Sequence, residues 1–167
     1  MVTVTANRRT RRSAIVLASA SVLLAGASLP AAYASGDNDD RSKHRNLSAT
    51  LTGAKEVPGP GDTDGRGRAQ IRLKKDQVCF EVSWRNIGAP TAAHIHVGAR
   101  DVAGDVVVGL LSVPIPGLQA PVSSVGGCAT PADPELISKI RKQPGAYYVN
   151  VHNVEFPGGA IRGQLHR

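Results

Sequence analysis

An all-β domain, built as a sandwich or barrel of short strands, is what this sequence predicts, and three observations carry the prediction. From Leu47 onward, apolar and polar side chains alternate in short segments, the period of two expected of strands that bury one face. Clusters of glycine and proline separate those segments, drawn from 18 glycines and 11 prolines, as in sandwiches and barrels. One stretch, residues 133–143, carries the cap, the apolar stripe and the stop of a helix instead.

Ahead of the domain stands an export signal. Arg8, Arg9, Arg11 and Arg12 form a positive start, residues 14–29 run apolar but for small serines and a glycine, and Ala32-Tyr33-Ala34 is a small-x-small cleavage site. That layout reads as a secretory signal peptide over residues 1–34. The apolar run is shorter than the ~20 residues a membrane span needs, so no span is expected after the signal is removed. Arg11-Arg12 invites a twin-arginine reading, but no bulky apolar residue follows at the usual distance, which favours ordinary secretory export. The expected destination is the cell envelope or the medium. Residues 35–46 (SGDNDDRSKHRN) offer no aliphatic side chain to bury and are expected to form a disordered linker. The domain proper is expected over residues 47–167, enough chain for one core.

The strands are read in order. Leu47, Ala49 and Leu51 alternate with Ser48, Thr50 and Thr52; Ala69, Ile71 and Leu73 alternate with Gln70, Arg72 and Lys74; Val78, Phe80, Val82 and Trp84 alternate with Cys79, Glu81 and Ser83. Between the first two lies Asp62-Thr63-Asp64-Gly65. It has the opening of a calcium loop without the later ligands and closing glutamate, so a plain turn is expected. Residues 93–97 form a further strand, and the valine-rich residues 105–111 a more buried one. The helix has Asp133 as N-cap, Pro134 at its first position, and Leu136, Ile137 and Ile140 on one stripe, stopping before Pro144-Gly145. Two last strands are expected over residues 146–153 and 160–166, split by Phe156-Pro157-Gly158-Gly159.

Charge narrows the partners. The chain has 20 Lys+Arg and 13 Asp+Glu; loss of the four signal arginines leaves 16 against 13. The remaining basic residues (Arg66, Arg68, Arg72, Lys74, Lys75, Lys139, Arg141, Lys142) are interspersed with acids along the chain and lack interleaved aromatics. A nucleic-acid partner, which wants a concentrated basic face, is not expected. Cys79 and Cys128, an even count in an exported chain, are expected to form a disulfide; a thiolate metal site would want a CxxC-type spacing.

The chemistry-bearing residues are histidines. In Ala93-His94-Ile95-His96-Val97, the pleat puts His94 and His96 on the face opposite Ala93, Ile95 and Val97. In residues 147–152 it puts Tyr148, Asn150 and His152 opposite Tyr147, Val149 and Val151. Imidazoles at i and i+2 lie roughly 7 Å apart along a strand, and neighbouring strands would let His152 complete a three-imidazole set. Neutral imidazole suits copper and zinc. The competing reading makes these structural histidines, tying the outer sheet face to nearby loops. His166 is a candidate fourth member. Asp105 and Glu155 have no evident acid–base partner, Ser123 and Ser124 have no nucleophile motif, and no glycine loop cradles phosphate, so no catalytic residue is assigned.

Four stretches resemble the CHRD domain, the chordin-type module found singly in many exported bacterial proteins. They are Leu47-Ser48-Ala49-Thr50-Leu51-Thr52-Gly53-Ala54 with Glu56-Val57-Pro58; Thr91-Ala92-Ala93-His94-Ile95-His96-Val97-Gly98; residues 147–153; and residues 156–165. The resemblance implies an exported β module and no particular reaction. The order of a His-x-His strand, a strand ending Val-Asn-Val-His, and Gly-Gly-Ala-Ile-Arg-Gly is also similar to Cu/Zn superoxide dismutases. That likeness implies a Greek-key β-sandwich, immunoglobulin-like or superoxide dismutase-like. By the same analogy His94, His96 and His152 would be copper ligands and Arg162 an anion-steering residue; Tyr148 and Asn150, which the pleat puts on the face of His152, are expected to be site neighbours. No histidine- or aspartate-rich stretch between Gly98 and Asn150 supplies the bridging ligand and zinc site. The expected function is a non-enzymatic binding or structural module, holding copper or zinc if it holds a metal; a copper redox protein is the alternative.

Overall fold

The computed structural model describes residues 46–130 and 132–167. The signal peptide and linker expected over residues 1–46 lie outside the described residues, except for Asn46, which already belongs to the first strand. Among the described residues, the strands are β1 (Asn46–Thr52), β2 (Arg66–Leu73), β3 (Val78–Arg85), β4 (Pro90–Val97), β5 (Val106–Ser112), β6 (Ser124–Ala129), β7 (Tyr147–Asn153) and β8 (Ile161–Gln164). One helix, α1 (Pro134–Lys142), and two 3-10 turns, Gly53–Lys55 and Pro144–Ala146, complete them.

The strands form one antiparallel sheet in the order β5-β4-β7-β8-β1-β2-β3-β6. Its two edge strands, β5 and β6, meet without pairing, so the sheet rolls into a nearly closed barrel or sandwich. After β4, β5 and β6, the chain returns to lay β7 beside β4, which is a Greek key. The all-β expectation, one short helix included, agrees with this architecture.

The period of two explains the core. Leu47, Ala49 and Leu51 of β1, Ala69, Ile71 and Leu73 of β2, and Val78, Phe80, Val82 and Trp84 of β3 all point inward. They join Ala93 and Ile95 of β4 and Tyr147, Val149 and Val151 of β7 in one cluster. Each large side chain of this kind contributes about 1.5–3 kcal/mol by leaving water. Helix α1 forms as its cap and stripe require. Asp133 Oδ1 accepts the Glu135 N–H at 2.8 Å, Pro134 fills the first turn, and Ile137 and Ile140 are buried.

Three elements depart from the expectation. Strand β6 has no counterpart in the alternation pattern, because Gly126-Gly127 has low strand propensity; pairing with β3 and the Cys79–Cys128 disulfide hold it in place. The two cysteines stand directly opposite each other across β3 and β6, 49 residues apart in sequence. Strand β5 is an edge, not the more buried strand its valines suggest, and Val106 is 52 % exposed. Strand β8 ends at Gln164, and His166 instead exchanges backbone hydrogen bonds with Ser48 of β1. Among the described residues, no helix is long and apolar enough to cross a membrane.

Candidate metal centre

The outer face of β4, β7 and β8 carries the polar side chains that the alternation forces outward. Strand β4 pairs directly with β7, placing His94 opposite Asn150, His96 opposite Tyr148 and Ala92 opposite His152. On the other side of β7, Asn150 faces Arg162 and Tyr148 faces Gln164 of β8. His152 thus sits one pleat step along β7 from the residue facing His94, close enough for the rings to meet. One nitrogen each from His94, His96 and His152 lies within 4.8 Å of the others, and the ring centroids are 5.0–6.1 Å apart. His166 is not a member: it belongs to the β1 side, with its exposed ring 3.0 Å from the Arg167 carbonyl.

The hydrogen bonds decide which nitrogens face inward. His96 Nδ1 donates to the Gly104 carbonyl at 2.9 Å, and His152 Nδ1 to the Pro157 carbonyl at 3.0 Å. A carbonyl can only accept, so in both rings Nδ1 carries the proton and Nε2 keeps the lone pair. His94 Nδ1 lies 3.1 Å from His152 Nε2 and serves as its donor in the absence of an ion. His96 Nε2 is buried without a hydrogen-bond partner among the described residues. A buried lone pair with no donor is an atom for which a metal is a fitting partner.

A fit test gives the same result. Two ligands at about 2.0–2.1 Å from a zinc or copper ion, separated by 3.1 Å, subtend roughly 100° at the ion, between square-planar and tetrahedral values. Ligands at that distance reach at most about 4.2 Å apart. Gathering all three nitrogens, which lie within 4.8 Å, therefore draws the widest pair in by about 0.6 Å if those two ligands stand trans and by about 1.4 Å if they stand at the tetrahedral angle. All three imidazoles are held neutral. Burial pulls His94 down to about 4, with the nearby charges of His152 and His96 adding to the effect. Burial also lowers His96 and His152, opposed in each by its backbone carbonyl. A metal therefore meets neutral rings: His96 Nε2 offers a free lone pair, and binding at the other two would replace the His94–His152 hydrogen bond, with the His94 proton moving to Nε2.

Beneath the cluster lies a polar layer. The Tyr148 ring stacks on His96, with centroids 4.8 Å apart and planes 9° apart. Arg162 Cζ lies 3.4 Å from the centroid of the same ring. Tyr148 also donates to the Gly104 carbonyl at 3.3 Å and accepts the Gly104 N–H at 3.2 Å. Arg162 is 1 % exposed, and its Nη2 donates to the Ala99 and Val102 carbonyls at 3.0 and 2.9 Å. It is thus a neighbour of the cluster, but an internal strut for residues 98–105 and not an exposed steering charge. Asn150 Nδ2 donates to Glu56 Oε2 at 3.1 Å. Gly159, at φ +147°, lets that carboxylate approach, because a Cβ there would strike it. Glu56 and the Gly104 and Pro157 carbonyls are the parts of the site that the histidine pattern does not reveal.

Glu56 makes a pH prediction. Burial pushes its carboxyl up to about 7, against the lowering effects of Arg162, Asn150 and the Val57 backbone. Because the folded value lies above the ordinary 4.5, the native state holds this proton more tightly than the unfolded chain. The associated stability is fully present below pH 4.5 and is lost as pH rises through 7. The histidines, whose folded values are lowered, act in the opposite sense, with their stability lost as pH falls below about 6.5. Chemical denaturation of wild type and Glu56→Gln from pH 4 to 8 separates the two. The stability of Glu56→Gln relative to wild type should rise between pH 4.5 and 7 and then level off; a flat difference would contradict the assignment.

The family model described as CHRD domain matches residues 47–165. No curated protein and no solved structure gives a significant match to the chain.

Proposed function

The chain belongs to the CHRD family, and from that premise we propose that it is an exported extracytoplasmic module that binds one copper or zinc ion through His94, His96 and His152. The observation that carries this reading is the pair of Nδ1–H···O=C bonds to Gly104 and Pro157. They leave two Nε2 lone pairs and His94 Nδ1 grouped together, the outer-shell arrangement that orients imidazole ligands in metal sites. Purely structural histidines do not require His96 Nε2 to be buried and unpartnered. The signal-like residues 1–34 and the disulfide support export, since such bonds persist in oxidising compartments.

Tyr148, stacked on His96, and Arg162, against Tyr148, support the ligands, Asn150 ties the same face to Glu56, and none of the three does chemistry in this reading. A copper redox protein is the second reading. His94 and His152 are only half-buried, so an ion held there would keep a side open to solvent. Among the described residues there is one such ligand group, so a second bridged metal finds no partner set.

Calorimetric titration of residues 35–167 with Cu(II) and Zn(II) tests the proposal. One ion should bind per chain, and His94→Ala and His152→Ala should each lose it. Failure of both metals to bind wild type would end the metal readings. Superoxide consumption in proportion to bound copper, abolished by the same substitutions, would favour the redox alternative.

A further inference from the structure

A second site lies on the far wall of the barrel and does not depend on the metal reading. The outer face of β1, β2 and β3 is polar throughout, because Leu47, Ala49 and Leu51 and their partners take the inner one. On it, β2 presents Arg66, Arg68 and Arg72, all exposed, and β3 presents Glu81, Ser83 and Arg85. The register sets Arg66 directly opposite Arg85 and Arg68 opposite Ser83. Arg66, Arg68 and Arg72 follow one another with no acid between them, and the strand pairing brings Arg85, beyond Asp76 and Glu81 in the chain, beside them.

Arg66, Arg68 and Arg85 line one open cleft of about 710 Å³ with the hydroxyls of Ser83 and Ser124 and a single carboxylate, Glu81. Among the described residues, the one ion pair is Lys139–Glu135 on α1, so none of the three guanidiniums is neutralised by a carboxylate there. Like charges directly opposite across two strands are unfavourable. Two arginines in that relation, with no carboxylate partner among the described residues and Arg66 Nη1 held by the Thr63 and Gly65 carbonyls at 3.2 and 2.7 Å, form beside a cleft of ligand size a surface that a polyanion would relieve. Arginine forks match carboxylate and sulfate groups with two parallel bonds, and the serine hydroxyls match sugar hydroxyls.

We propose that this cleft binds an acidic polysaccharide. A single-stranded nucleic acid would want exposed aromatic platforms for its bases, and the cleft's aromatic residue, Trp84, is only 8 % exposed. An extended peptide would pair along a free strand edge, whereas the three arginines stand on β2 and β3, each paired on both sides, and the edge strand β6 contributes only its Ser124 end to the cleft.

Binding of full-length mature protein (residues 35–167) to dextran sulfate, polygalacturonate, polyglutamate and single-stranded DNA tests this, with neutral dextran as baseline. Dextran sulfate or polygalacturonate should bind, and comparison of the two separates sulfate from carboxylate recognition. With three guanidiniums engaged, affinity should fall about 20- to 40-fold between 50 and 200 mM salt, by the counterion-release slope for charged polymers. Arg68→Gln and Arg85→Gln, both on exposed side chains, should weaken binding about tenfold without lowering the melting temperature. Lys142→Gln, which removes the same charge from exposed α1, should leave it unchanged. Equal loss from Lys142→Gln, absence of binding to both polysaccharides, or binding of polyglutamate or DNA at least as tight as theirs would overturn the proposal.

Discussion

Replacing Arg162 with methionine should destabilise the domain by about 3 kcal/mol or more and weaken metal binding with it. Arg162 is 1 % exposed and its Nη2 holds two carbonyls, Ala99 and Val102. Charge-assisted bonds of this kind contribute about 1.5–3 kcal/mol each. Methionine fills much of the volume but donates nothing, so both carbonyls lose a buried donor. The guanidinium also lies against Tyr148, and its charge partly offsets the burial of Glu56. The consequence extends to the histidines, because residues 98–105 include Gly104, which fixes His96 Nδ1. With that segment released, His96 would lose the bond that sets its tautomer, and outer-shell losses of this type cost roughly 10- to 100-fold in metal affinity. Denaturant unfolding measures the first effect and calorimetric titration the second. Hydrogen exchange should report faster opening of residues 98–105. Arg162→Met with wild-type stability would mean that the guanidinium is not a strut; normal stability with weakened metal binding would point to a direct electrostatic effect on the site.

The histidine set is legible in the sequence because a strand's pleat depends only on spacing. His94 and His96 at i and i+2, and His152 with Asn150 and Tyr148, fall on outer faces by alternation alone. That β4 and β7 are neighbours is not a local property: the pairing joins residues 50 or more apart and follows from the Greek-key return. Glu56 is hidden for a similar reason, since a glutamate in a loop reads as solvated until Asn150, 94 residues away, is seen to bond it. Strand β6 is obscured because Gly126-Gly127 argues against a strand on propensity, while the ladder to β3 and the disulfide outweigh that preference. The basic residues give the opposite lesson. The near balance of basic and acidic residues over the chain suggests dispersal, yet residues 66–75 hold no acid, alternation places Arg66, Arg68 and Arg72 on one face of β2, and pairing sets Arg85 beside them.

Reduction of the Cys79–Cys128 bond, or its replacement by Cys79→Ala with Cys128→Ala, should cost up to about 4 kcal/mol, the loop-closure value for a separation of 49 residues. The loss should be uneven. Strand β6 pairs with β3 alone, is an edge of the sheet, and contains two adjacent glycines that pack little. It has weak intrinsic reason to remain a strand, so the covalent tie supplies much of its attachment. Exchange of backbone hydrogens over Ser124–Ala129 should therefore accelerate before that of β1, β2 or β7. Cys128 is exposed and Cys79 half-buried, so a reductant added to the folded protein should reproduce the double substitution. The histidine cluster is built on β4 and β7, away from β6, and any metal affinity measured for it should be kept when only β6 loosens. If reduction leaves both the unfolding midpoint and β6 exchange unchanged, the bond is dispensable and one support for export is lost. If it destabilises the domain as expected, the bond is a working part of the fold, and structural bonds of this kind persist in oxidising compartments.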